Sequence, residues 1–326
     1  MKRRTVVKGA ARLGLALMRG GNSWVSVVYL ATMRCNARCP YCDFPRVPFE
    51  ELDTGGALAL IRALKEAGTV RLSISGGEPL LRADLGAMTM EAGRCGFITS
   101  VVTNGTLLQD RLEDLRPVDY ILCTMEGGEG VHERMRGAGS WGMTVRGLEM
   151  LKRSGIGRLG IICPLHRENL AEIEEPLRLA EQLGTKAFFQ PVQRRNGWTG
   201  PEFHGMLSPE EMKHAFGRLL RLKITGRAVG NSRRYLEIMA GGGDAGSFPK
   251  CTSGRFAVTL LPDGRVTPCC MLPFQASPVR VDPRTIGRAV REAAVPACEG
   301  CTISPYMESN LILNLDLGAL LNALMW

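Results

Sequence analysis

The stretch Arg34 to Pro45, RCNARCPYCDFP, carries three cysteines, Cys35, Cys39 and Cys42, and then no fourth. Iron-sulfur clusters and structural zinc usually take four protein ligands. Three thiolates can hold three corners of a cubane 4Fe-4S cluster and leave the fourth iron open to a ligand from outside the chain. The same spacing also admits a zinc ion completed by a distant residue, or three cysteines sharing a loop by chance. What surrounds the motif has to decide.

Short β-rich runs alternate with helical stretches from Ser26 onward, the pattern of parallel strands joined by crossover helices. The predicted strands are 25–32, 70–75, 97–102, 119–124, 158–163 and 186–191. Helical spacing is read between them, including TLLQDRLEDL (106–115) and NLAEIEEPLRLAEQLG (169–184), and several of these stretches close on glycine. Six such units predict an α/β fold, a partial (β/α)6 TIM-like barrel. The cysteine trio falls just after the first strand, at the edge where such sheets place their chemistry.

A second motif stands at the end of the second strand: SISGGEPLL, with Gly76, Gly77, Glu78 and Pro79. Paired glycines allow close backbone approach, and the carboxylate suits an ammonium group. Alone it could be a turn before a helix. Together, CxxxCxxC after strand one and GGEP after strand two resemble the radical S-adenosylmethionine (radical SAM) superfamily.

That resemblance implies that Cys35, Cys39 and Cys42 hold a 4Fe-4S cluster whose open iron is chelated by SAM. One electron then cleaves SAM to methionine and a 5'-deoxyadenosyl radical, which removes a hydrogen atom from the substrate. It places Tyr41 beside the adenine and Gly76, Gly77 and Glu78 at the SAM amine. Thr103 and Asn104, just after strand three, are counted with the cofactor-binding residues as well. CTMEGGEGVHERMRG after strand four is similar to the family's S-x-D-G and H-x-x-x-R-G, with Thr124 at the ribose and Arg136 at the SAM carboxylate. Glu126 stands where the family has Asp. His132 is read as shaping its loop. Glu126, Gln190, Arg194 and Arg195 are substrate-side residues, the first two being the catalytic candidates.

A later group comprises Cys251, Cys269, Cys270, Cys298 and Cys301, flanking a predicted hairpin that turns at Asp263-Gly264. It resembles the Twitch form of the SPASM extension, which implies one auxiliary 4Fe-4S cluster on Cys251, Cys269, Cys298 and Cys301, with Cys270 as competing ligand. Structural zinc on the same thiolates is the alternative. Cys95, Cys123 and Cys163 are read as small buried hydrophobes.

The organisation expected is a basic amphipathic segment (1–24), a radical SAM core (25–200), a connecting helix (201–230) capped by Ser208, an auxiliary-cluster domain (231–310) and an apolar tail (311–326). The 326 residues are 45% hydrophobic and carry a formal charge of +9, with the basic residues scattered and aromatics at 6%. Nucleic acid is therefore excluded as a partner. A twin-arginine export signal is rejected because Arg12 and Arg19 interrupt the apolar region, and a cytoplasmic location is expected. The amphipathic N-terminus and leucine-rich tail admit peripheral membrane contact. The favoured substrate is a small molecule, sugar or lipid-linked molecule, since few residues precede the barrel for a peptide-binding module. A peptide-modifying maturase is the second reading, and a non-catalytic iron-sulfur or zinc protein the third. The resemblance also implies an electron donor such as flavodoxin or ferredoxin.

Overall fold

The computed structural model describes residues 23–193, 203–242, 247–271, 280–292 and 301–325. The expected N-terminal helix, Arg194, Arg195 and Cys298 lie outside these.

Six parallel strands form in chain order: β1 (Ser26–Thr32), β2 (Arg71–Gly76), β3 (Ile98–Thr103), β4 (Tyr120–Thr124), β5 (Arg158–Leu165) and β6 (Lys186–Pro191). Each lies within two residues of its expected span. Helices α1 (Thr54–Glu66), α2 (Leu85–Cys95), α3 (Glu129–Arg136), α4 (Ser140–Ser154) and α5 (Glu174–Leu183) cross between them. The strand faces divide cleanly. Val27, Tyr29, Leu72, Ile74, Val101, Ile121 and Ile161 are fully buried in the main core, whereas Val28, Arg71, Ser73, Tyr120 and Phe188, at the alternate positions, keep accessible surface and form the inner wall.

The segment 106–115 is not a helix. It makes turns and one 3-10 turn at Glu113–Leu115, because Arg111 pins it down. The guanidinium donates to Leu80 O at 2.5 Å, to Arg82 O at 2.8 Å and to Asp114 at 2.5 Å. Likewise α5 begins only at Glu174, after a 3-10 stretch at Arg167–Glu172.

The predicted hairpin is present, as β7 (Ala257–Leu260) and β8 (Val266–Thr267), with Gly264 at φ +83° in the turn. It joins the barrel sheet: β7 pairs in parallel with β1, giving the order β6-β5-β4-β3-β2-β1-β7-β8. Helix α6 (Pro209–Ile224) opens on a reciprocal cap, Glu211 N to Ser208 Oγ at 3.2 Å and Ser208 N to Glu211 Oε2 at 2.7 Å. Further helices are α7 (Arg233–Ala240), α8 (Ile286–Glu292), α9 (Ser304–Leu313) and α10 (Leu317–Met325).

Helix α9 bridges the two limbs of the sheet. Asn231, fully buried, grips the β6 edge by accepting from Phe189 N at 2.7 Å and donating to Phe189 O at 3.0 Å. It also donates to Ser304 Oγ at 2.9 Å. Half a turn on, Tyr306 Oη meets Thr259 Oγ1 of β7 at 2.6 Å. Among the described residues no helix is long and apolar enough to cross a membrane.

The two motif glycines are required by the end of β1. A Cβ at Gly76, whose φ is +135°, would stand 2.1 Å from Thr32 O, and one at Gly77 would stand 2.2 Å from Arg34 O. Gly77→Ala is therefore expected to lower stability by about 3 kcal/mol in urea unfolding. Gly96→Ala has φ +76° but nothing within 4 Å, so it should cost about 1 kcal/mol. Equal costs would rule out the clash.

Candidate active site

The cysteine loop leaves β1 held on two sides. Gly77 N donates to Thr32 O and Glu78 N to Arg34 O, both at 2.8 Å, so the β2 end continues to pair with the chain leading into Cys35. From the β3 end, Asn104 Nδ2 donates to Asn36 Oδ1 at 2.7 Å and lies 3.8 Å from Cys35 Sγ. At the loop's base Arg82, buried, donates to Ala31 O and Leu52 O and pairs with Asp84 at 2.6 Å. The loop is thus tied at its entry and exit.

Cys39 is buried, and Cys35 and Cys42 are half-buried. Burial pushes the Cys35 and Cys39 thiols up; the charge of Cys39 reaches Cys35 and that of Cys42 reaches Cys39. Two N–H groups already point at the Cys35 sulfur, Ala37 N at 3.4 Å and the Asn104 amide. A half-buried Cys35 sulfur with two N–H donors aimed at it suits an iron-sulfur cluster, whose sulfurs are stabilised by such bonds, and Cys39 and Cys42 follow on the same loop.

Glu78 is fully buried and committed to the scaffold. Its Oε1 accepts from Leu80 N at 3.0 Å and Thr103 Oγ1 at 2.8 Å, and its Oε2 accepts from Asn104 N at 2.7 Å. Burial raises its pKa against these donors. Thr103 and Asn104, expected beside the cofactor, are thus brought to Glu78 and to the cysteine loop respectively. Thr124 ends β4 in register with Ile162, on the inner wall.

The departure at Glu126 has a structural answer. Its carboxylate is completely buried and joins four elements. Oε1 accepts from Arg136 Nε at 2.7 Å and from the Tyr41 hydroxyl of the cysteine loop, and Oε2 faces His166 Nε2 at 3.2 Å. Burial alone would raise the pKa of Glu126, but Arg136, then His166 and Tyr41, hold it at about 2. The other ring nitrogen of His166, Nδ1, is buried and without a hydrogen-bond partner among the described residues.

Arg136 spends one edge of its fork on Glu126, and Nη2 also donates to the Tyr41 oxygen at 3.1 Å. The outer edge is what remains for an anion. His132 Nδ1 accepts from Glu126 N at 3.3 Å, and burial, then Arg136, lowers its pKa to about 4. Its position fits the loop-shaping reading. Gln190 ends β6 on the inner wall with its Oε1 buried and unpartnered among the described residues.

Sequence reasoning missed His166, Asn169 and Phe203. Asn169 donates to Glu126 O at 2.8 Å and Pro164 O at 2.7 Å and accepts from His166 N at 2.9 Å. Phe203 and His166 pack on the Tyr41 ring at centroid distances of 5.6 and 6.1 Å. The usable signal was CPLHREN (163–169), a strand end followed by a polar residue and an Asn three positions on.

In the second cysteine group, Cys269 is buried and Cys270 half-buried just after β8, and Cys301 is half-buried just before α9. The adjacent Cys270 and burial push the Cys269 thiol up, and the charge of Cys301 is felt there as well. Cys270 N donates to Tyr306 Oη at 3.4 Å. Cys251 precedes Thr252, whose N donates to Asn310 of α9 at 3.0 Å. Cys95, Cys123 and Cys163 are buried.

Glu126→Gln keeps the side-chain volume and leaves Arg136 enclosed without an anion, so stability at pH 7 should fall by about 3 kcal/mol in urea titrations. Because the folded pKa lies below the ordinary 4.5, the contribution is present above pH 4.5 and lost as pH falls towards 2. The gap between wild type and variant should therefore close over that window. A pH-independent gap would refute the charge argument.

Residues 29–180 match the Radical SAM superfamily model. The chain is 29% identical over 256 residues to a PqqA peptide cyclase of Gluconobacter oxydans, covering 75% of this chain and 70% of that one. It is 31% identical over 163 residues to an Fe-coproporphyrin III synthase of Methanosarcina barkeri, covering 48% of this chain and 41% of the relative. Among solved structures, Streptococcus suis SuiB bound to precursor peptide SuiA aligns with a TM-score of 0.66 at 13% identity, over 86% of this chain and 66% of that one. At that identity the likeness is one of fold. By its motif, its barrel and its relatives, with an auxiliary extension beyond the core, the chain belongs to the radical SAM superfamily.

Proposed function

We propose that the chain is a peptide-modifying radical SAM enzyme. The observation that carries the reading is the likeness to a peptide cyclase, which covers 75% of the chain and so extends well past the matched core. The fold shared with a protein solved with its precursor peptide supports it. The small-molecule or lipid-linked substrate expected from sequence rested on how little chain precedes the barrel. That argument concerns leader binding and says nothing of what the barrel interior accepts. The shorter likeness to a porphyrin-forming enzyme is the case the substrate test must separate.

In this reading Cys35, Cys39 and Cys42 hold the 4Fe-4S cluster, and the outer edge of Arg136 takes the SAM carboxylate. The bound cluster and SAM supply an electron and a 5'-deoxyadenosyl radical. Tyr41, clamped by Glu126 and Arg136, fixes the third cysteine's approach, so cofactor loop and ligand-binding arginine are set by one carboxylate. The Gly76–Glu78 turn presents backbone to the ligand while Glu78 keeps β2 and β3 in step. Cys251, Cys269, Cys298 and Cys301 hold the auxiliary cluster, and an external donor reduces the enzyme.

Anaerobic reconstitution should give about eight irons per chain, as two cubanes require, and dithionite-dependent 5'-deoxyadenosine. Cys35→Ala should remove about half the iron and abolish the product. Stoichiometric zinc with iron near zero would refute the enzymatic reading. For the substrate, active enzyme is incubated with fractionated extract of deuterium-labelled cells, and deuterium is sought in 5'-deoxyadenosine. Peptide fractions should supply it; label arriving only from porphyrin, sugar or lipid fractions would overturn the proposal.

A further inference from the structure

The strand register fixes which residues share each level of the inner wall. Thr259, Val28, Ser73, Ser100 and Tyr120 pair across five strands as one row. One level below lie Ser26, Arg71 and Ile98. With α9 tied to Thr259 through Tyr306, this lower half of the barrel is walled by strands on one side and a helix on the other.

Arg71 is the exception among the enclosed arginines. Arg82 pairs with Asp84 and Arg136 with Glu126, yet among the described residues no carboxylate lies within ion-pair distance of Arg71. Burial lowers its pKa, and the Tyr120 phenol is the neighbour that acts against this. It nevertheless keeps accessible surface. Ser100, fully buried one level up on the next strand, has a hydroxyl without a hydrogen-bond partner among the described residues. An enclosed charge without a counter-ion is costly, and a fold that keeps one gains from an anion that comes and goes. The planar guanidinium itself offers the paired donors that a carboxylate takes, and the unpartnered Ser100 hydroxyl, on the next strand, is a further donor.

We propose that Arg71, with Ser100, is the subsite that holds a carboxylate of the peptide substrate, an acidic side chain or the peptide's own C-terminus, on the barrel floor. This rests on the peptide reading above. It names the part of the substrate that is gripped, at a level remote from the cysteine loop, so that specificity for an acidic residue is set apart from the site of hydrogen abstraction.

The test uses the reconstituted enzyme and arginine modification by p-hydroxyphenylglyoxal, read residue by residue by mass spectrometry. Arg94, exposed on α2, is the internal control. The probes are glutarate, inorganic phosphate, and the capped tripeptides acetyl-Ala-Glu-Ala-amide and acetyl-Ala-Gln-Ala-amide. The glutamate peptide and glutarate should slow modification of Arg71 at least fivefold and leave Arg94 unchanged, while the glutamine peptide should have no effect. Protection by glutarate without the glutamate peptide would support the carboxylate site and count against the peptide reading, which separates the two. Protection by phosphate alone, equal protection by both peptides, or none would overturn the proposal. In ligand-free protein Arg71→Gln should leave the thermal midpoint unchanged or raised, and should abolish the shift that the glutamate peptide gives wild type. Arg71→Lys should keep part of that shift. A midpoint lowered in both variants, with the peptide shift intact, would make Arg71 a structural residue and sink the idea.

Discussion

The structure depends on how closely two backbones approach at the top of the sheet. Gly76 and Gly77 let the β2 end lie against the carbonyls of Thr32 to Arg34, nearer than any Cβ would allow. The two hydrogen bonds made there carry the sheet's pairing past β1 into the cysteine loop. A loop bearing three thiols has little core of its own, so its shape must be borrowed from neighbours. Here it is borrowed from β2 by main-chain bonds, from β3 through Asn104, and from Arg82 at the base.

Glu126 plays the corresponding part for the other half of the mouth. One buried carboxylate gathers the cysteine loop through Tyr41, α3 through Arg136 and the β5 end through His166. The additional methylene of Glu relative to Asp gives the side chain reach to these partners from three directions. Charge compensation by Arg136 is what makes such a burial tolerable.

Much of this was legible in the sequence, for reasons that can be named. The six strands are β-branched runs closed by turn residues, and the hairpin shows itself by Asp263-Gly264, because local chemistry dictates both. The cysteine and glycine motifs are contiguous, so spacing alone exposes them. Arg71 was not legible, being one polar residue at a strand position whose meaning comes from register across strands far apart in sequence; His166, just past β5, had only the faint local signal of CPLHREN. Segment 106–115 misled because its helical spacing is genuine, and only the tertiary grip of Arg111 on Leu80 and Arg82 defeats it. The place of the hairpin was hidden likewise, since nothing in β7 announces β1 as its partner.

That pairing of β7 with β1 turns the barrel into a ruler. The cysteine loop leaves the upper end of β1, whereas β8 runs back down and delivers Cys269 and Cys270 near the level of Thr259, whose partner on β1 is Val28. From Val28 to the top of the strand and into the loop is about 15 to 20 Å at ~3.3 Å per residue. Cys269 and Cys270 are therefore placed several residues down the sheet from the cysteine loop, with β1 as the common reference. Strand length, and not loop conformation, therefore sets how far apart these two parts of the chain stand.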